Sequence, residues 1–262
     1  MEIAFQTAGS GPRLVLLHPL GADRHIWDPI VAALAAERTV ITLDLPGFGE
    51  SPPLADVAPT PRALADAVAT ALGRVAEGRF HVAGNSLGGW VALELGLSGA
   101  AASVTAIAPA GLWPEPLVPK ASLAHRLARA LEPLAVTAVR TRAGRGLLLN
   151  GSVAHPGRVP GADAARLVRA YGRSPGFTAV NDAMRAARFN SLERIRVPVT
   201  LVWPDHDRLI ERPLWIPDPV HNVVLADAGH IPVWDAPERL VAALLQGSGG
   251  VGAAAPATRA PA

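Results

Sequence analysis

Cysteine is absent from all 262 residues. That absence removes disulfides, thiolate metal sites and thiol nucleophiles together, and it suits a reducing cytoplasm, the compartment expected for the chain. No apolar run approaches the ~20 residues that a bilayer crossing needs, so no membrane span is expected. The opening residues, "MEIAFQTAGSGPR", lack a basic segment followed by an apolar one, so no secretory leader is expected. A strong charge of one sign is also missing, since the formal net charge is only +2. The high isoelectric point, about 9.9, comes from an excess of arginine over lysine and from a single tyrosine. Without a recognised module or interleaved aromatics, that basicity does not argue for a nucleic-acid partner. No cluster of side chains has metal-ligand spacing, and neither a metal nor a cofactor is expected.

What is present suits one large domain or a domain with an insertion. A chain of this length buries about 70–75% of its extended surface and needs no covalent staple. Short apolar runs recur: "RLVLLH" (13–18), "RTVITLDL" (38–45), "RFHVAG" (79–84), "SVTAIAP" (103–109), "VPVTLVW" (197–203) and "HNVVLADAG" (221–229). Each ends in a turn signal and reads as a strand buried on both faces. Helical patterns lie between them. Residues 60–78 open with Thr-Pro at the N-cap and first helical position, and 87–99 and 236–247 repeat the pattern. The alternation predicts an α/β fold with a mostly parallel central sheet flanked by helices.

Residues 112–193 break the alternation. They offer helical stretches near 120–131, 133–143, 162–173 and 176–189 but no convincing strand, which predicts a helical insertion. The core would then comprise 1–111 and 194–246. The insertion holds twelve basic and five acidic residues, a net +7, leaving −5 for the rest. An arginine-rich solvated surface accounts for this charge, and attraction of anionic substrates toward a nearby cleft is the sharper reading. Residues 247–262, "GSGGVGAAAPATRAPA", lack periodicity and read as a disordered tail.

The stretch "GNSLGG" (84–89) places Ser86 between a strand pattern and a helix pattern. A strand-to-helix reversal within a few residues strains the serine backbone, and the small residues around it let neighbouring backbone pass. The context is that of an exposed nucleophile, with the Leu87 N–H at a helix N-terminus where negative charge develops. Such a serine needs a base, and the base an orienting acid. His230 lies between a strand pattern and a helix start, on a loop at a strand's carboxyl end. Its rival His206 leaves no strand-end carboxylate followed by a histidine. Asp205 and Asp207 both follow the strand 197–203, and the pattern leaves that choice open. A second oxyanion donor belongs after an early strand, where Pro19 has no N–H and Leu20 does.

Together, "HPLG", "DLPGFGES", "GNSLGG", "VWPDHD" and "GHIPVWDAPERL" resemble segments of the α/β-hydrolase family over roughly residues 2–246. The resemblance implies a capped serine hydrolase with Ser86 as nucleophile, Asp207 as acid and His230 as base. It implies oxyanion donors at Leu20 and Leu87, and a helical cap over 112–193. It favours Asp207 because that residue falls three after the position of the family's glycine. Pro19 and Pro204 depart from the pattern, each standing where glycine is usual. The implied activity is hydrolysis of a small-molecule carboxylic ester or lactone through an acyl-enzyme. A carbon–carbon bond hydrolase of the same fold and a slow or non-catalytic ligand receptor are the alternatives. Trp113, just beyond the strand at 103–109, is a candidate substrate contact as well as a packing residue.

Overall fold

The computed structural model describes residues 2–75, 78–118 and 123–249. Seven strands form one sheet in the order β1-β3-β2-β4-β5-β6-β7. They are β1 (Phe5–Ala8), β2 (Arg13–Leu17), β3 (Thr39–Leu43), β4 (Phe80–Asn85), β5 (Ala101–Ile107), β6 (Val199–Pro204) and β7 (His221–Leu225). β1 runs antiparallel to β3 at one edge, and every other neighbouring pair is parallel. The inner strands are apolar at consecutive positions because both faces are covered. On β2, Leu14 and Leu16 pack into one core cluster while Val15 and Leu17 pack into the other.

Helices α1 (Asp28–Ala35) and α9 (Pro237–Gly247) cover one face through Ile30, Leu34, Leu240 and Leu244. Helices α2 (Pro61–Val75) and α3 (Leu87–Leu97) cover the other through Leu64, Val68, Val91 and Leu93. Thr60 caps α2 by accepting the Ala63 N–H at 3.2 Å. α3 is buried nearly all round, as a helix wedged between a sheet and a second helix must be.

Between β5 and β6 the described residues contain no strand. They form α4 (Leu123–Ala130), α5 (Glu132–Ala138), α6 (Arg142–Leu149), α7 (Gly161–Arg173) and α8 (Phe177–Arg185). The Gly176 N–H donates to Gly47 O at 2.9 Å, so the backbones touch where side chains would not fit. At the far end of the chain, Gly247 O accepts from Ser103 Oγ at 2.7 Å and Ser248 Oγ accepts from Arg38 Nε at 3.1 Å. These residues close α9. Of the segment expected to be a disordered tail, 250–262 lies outside the described residues.

Candidate active site

Ser86 sits between β4 and α3 with φ 56° and ψ −114°. This left-handed backbone conformation is costly for a residue with a side chain. It is held from several sides. The Ser86 N–H donates to Ile107 O at 2.9 Å, and Ser86 O accepts from the N–H groups of Trp90 and Ala110. The flanking glycines are steric necessities. A Cβ on Gly84 would stand 2.1 Å from Gly88 O, and one on Gly88 would stand 2.3 Å from Leu17 O. The first turn of α3 therefore lies directly against the end of β2, next to the loop that carries Leu20. The N–H groups of Leu20 and Leu87 have no acceptor among the described residues.

His230 and Asp207 meet in a buried pair. Nδ1 of His230 lies 2.8 Å from Asp207 Oδ2, with side chains only 6% and 4% exposed. Asp207 Oδ1 accepts the N–H groups of Leu209 (2.7 Å) and Ile210 (3.0 Å), so both carboxylate oxygens are engaged. The pair favours the imidazole tautomer with its proton on Nδ1 and leaves Nε2 with a free lone pair. Asp205 is turned elsewhere, accepting the Ala228 N–H at 3.3 Å. His206 is exposed on the same turn. The serine and histidine loops are joined by Asn85, whose Nδ2 donates to Ile107 O (3.1 Å) and His230 O (3.0 Å). The Ser86 hydroxyl makes no hydrogen bond among the described residues. Such contacts commonly tighten only when substrate binds.

The loop that carries Leu20 is fastened by His18, which is fully buried. Its Nδ1 donates to Pro19 O at 2.8 Å, and its Nε2 accepts the Leu45 N–H at 2.9 Å. Asp44 braces the same region by accepting the N–H groups of Arg24 (2.7 Å) and Glu50 (2.9 Å) and pairing with the Arg24 guanidinium. Gly49, at φ +53°, is required because its Cβ would collide with that carboxylate. The "DLPGFGES" stretch thus serves as a brace for the loop.

Burial holds the His18 imidazole below its ordinary value of 6.5, against the opposing pull of Pro19 O, Asp44 and Asp23. Burial and nearby Arg38 lower His81 as well. In the unfolded chain both titrate near the ordinary value, so the unfolded state binds the extra protons first. Their effect on stability is nil well above that pH and grows unfavourable as pH falls below about 6.5, until the folded groups also protonate. Urea midpoints at several pH values between 8 and 5 are expected to fall on the acid side. His18→Gln should flatten that dependence, and an unchanged slope would show that His18 protonates freely in the fold.

Trp113 is half-buried, donating from Nε1 to Ala187 O at 2.9 Å and meeting Trp90 edge-on at 5.7 Å. Both contacts are packing contacts. A cavity of about 400 Å³ lies between Arg24, Asp44 and Glu50 on the core and Arg166, Arg169 and Arg173 on α7; Ser86, Asp207 and His230 do not line it. Its arginines are answered by Asp28, Glu132, Asp44 and Glu50, so it carries no clear sign of charge.

Two features of the site escaped the motifs. One is Asn85. The other is buried Asp235, whose carboxylate accepts the N–H groups of Ala154 (2.8 Å), His155 (2.9 Å) and Gly229 (2.9 Å). It binds the helical segment to the residue before His230. The available signal was a buried-type helix start, "WDAPERL", carrying an acid inside an apolar surround.

Residues 14–243 match the Alpha/beta hydrolase family. A pimeloyl-(acyl-carrier protein) methyl ester esterase of Aeromonas hydrophila is 43% identical over 98 residues, covering 37% of this chain and 37% of that protein. An epoxide hydrolase of Mycobacterium tuberculosis is 30% identical over 191 residues, covering 68% of this chain and 89% of that one. Among solved structures, a thermophilic esterase from Thermogutta terrifontis superposes with a TM-score of 0.70 at 26% identity, covering 93% of this chain and 92% of the other.

Proposed function

Because the chain belongs to the alpha/beta hydrolase family, we propose that it is a serine hydrolase cleaving a carboxylic ester or lactone through an acyl-enzyme. The observation that carries this reading is the buried His230–Asp207 pair, tied through Asn85 to a serine in a strained strand-to-helix turn. In the proposed reaction His230 Nε2 takes the Ser86 hydroxyl proton as Ser86 Oγ attacks the substrate carbonyl. Asp207 holds the imidazole orientation and stabilises the imidazolium. The N–H groups of Leu20 and Leu87 receive the oxyanion, each such donor being worth about 10²–10³ in rate. His230 then protonates the departing alkoxide. Water, deprotonated by His230, attacks the acyl-enzyme and restores Ser86.

The relatives include an ester hydrolase and an epoxide hydrolase. Serine at position 86 favours the ester reading, since epoxide opening in this fold uses a carboxylate nucleophile. Residues 112–193 are the proposed roof of the pocket, with Trp113 packed at its root. The direct test is labelling with a fluorophosphonate probe, followed by mapping of the modified residue, together with turnover of p-nitrophenyl acetate. Modification at Ser86 and multiple turnovers are expected. Labelling without turnover would mark a ligand receptor, and cleavage of a vinylogous diketone in preference to any ester would mark a carbon–carbon bond hydrolase.

A further inference from the structure

Helices α4 and α5 carry apolar side chains on two opposite faces. Val136 and Val139 point inward and are buried, whereas Leu127, Leu131 and Leu134 are exposed, Leu134 to 70%. Spacings of four and three residues keep these leucines on one stripe. Helical hydrogen bonding runs through the junction, from Leu131 N to Leu127 O and from Ala135 N to Leu131 O, both at 2.9 Å. α6 packs on α5 and adds Leu147, 82% exposed, and Leu148. Beyond its end, Arg208 donates to Asn150 O (3.4 Å) and Oδ1 (3.3 Å), which brings the adjoining exposed Leu209 to the same region. Soluble domains seldom leave so many large apolar groups together in water.

The charge beside these leucines names what would cover them. Residues 123–150 contain five arginines and one carboxylate, Glu132. Glu132 is buried and committed to Arg173. Arg126, Arg129, Arg140 and Arg142 are exposed, and their side chains have no acceptor among the described residues. The arginines farther along behave differently: Arg158 pairs with Asp227, Arg166 with Asp28 and Arg173 with Glu132. The outer face of α4–α6 therefore offers unanswered guanidinium groups and leucines, with no exposed carboxylate.

We propose that this face docks on an anionic lipid bilayer. The leucines enter the headgroup–acyl boundary and the arginines meet lipid phosphates. Interfacial helices combine these same elements, with basic residues drawn to the negative surface of an anionic membrane.

The test is co-sedimentation of the full chain with vesicles of ether-linked phosphatidylcholine, with and without ether-linked phosphatidylglycerol. Such lipids carry no ester, so binding is read independently of any hydrolysis. Binding is expected only when phosphatidylglycerol is present, and it should weaken at least tenfold between about 20 and 500 mM salt, over which screening shortens steeply. Leu131→Glu/Leu134→Glu and Arg126→Glu/Arg129→Glu should each lower binding about tenfold or more, while melting temperature and hydrolysis of a soluble ester stay unchanged. Equal binding to both vesicle types, or none to either, overturns the proposal. So does light scattering that reveals a dimer broken by Leu134→Glu, or an acidic protein that binds the face in place of vesicles.

Discussion

Ser86→Ala is expected to lower kcat by about 10⁴–10⁶-fold, the range seen when the nucleophile of a serine triad is removed. The fold should survive, because the hydroxyl makes no hydrogen bond among the described residues and the backbone is held by Ile107, Trp90 and Ala110. Ser86→Gly sharpens the expectation. At φ 56° and ψ −114° the serine stores strain of about 1–3 kcal/mol. Glycine relieves that strain and costs about 0.5–1 kcal/mol in unfolded-state entropy. The net expectation is a variant as inactive as alanine but more stable by roughly 1 kcal/mol, a rise of about 2–4 °C in melting temperature for a chain of this size. Kinetics on p-nitrophenyl acetate and thermal denaturation read the two effects separately. Alanine and glycine variants that kept wild-type turnover would remove Ser86 from the chemistry.

Asp207→Asn is expected to lower kcat about 10⁴-fold, whereas Asp205→Asn should change it by less than about threefold. The difference follows from their partners. Asp207 gives one oxygen to His230 and the other to two backbone N–H groups, so its carboxylate cannot turn away. An amide in its place presents an N–H toward Nδ1 and favours the imidazole with its proton on Nε2, which cannot accept one from Ser86. Among the described residues the Asp205 carboxylate accepts only the Ala228 N–H, at 3.3 Å. Steady-state rates for the two variants, measured side by side, decide between the carboxylates. A large loss in Asp205→Asn with little in Asp207→Asn would reverse the assignment.

The sequence was readable where the physics was local. Strands β2 to β6 announced themselves because both faces are buried, leaving unbroken apolar runs, whereas β7, an edge strand with His221 and Val224 exposed, was marked by its Val-Val-Leu run and the turn signal after it. α2 was marked by Thr60-Pro61. β1 left no such run: it is a four-residue edge strand with exposed Phe5, Gln6 and Thr7. α1 was missed although Asp28-Pro29 offered a start signal, because its alanine-rich sequence continues into the next strand pattern without a stop residue. α6 was missed because Gly144 and Gly146 interrupt its pattern. The choice between Asp205 and Asp207 depends on which carboxylate the turn aims inward, a matter of two residues that periodicity does not resolve. The net charge of the insertion was visible, but which arginines have carboxylate partners depends on residues far apart in the chain, as with Arg166 and Asp28.

Asp235 gives the molecule a fixed corner. Its carboxylate gathers N–H groups from residues 154 and 155 and from residue 229, and Ile231 N reaches across to Ser152 O at 2.8 Å. Pulling those strands of chain apart would strand a buried anion, at a cost of several kcal/mol. With residues 112–193 as the proposed roof, opening for a substrate is expected at another of its edges, which would leave this one as a pivot and the imidazole at position 230 in place.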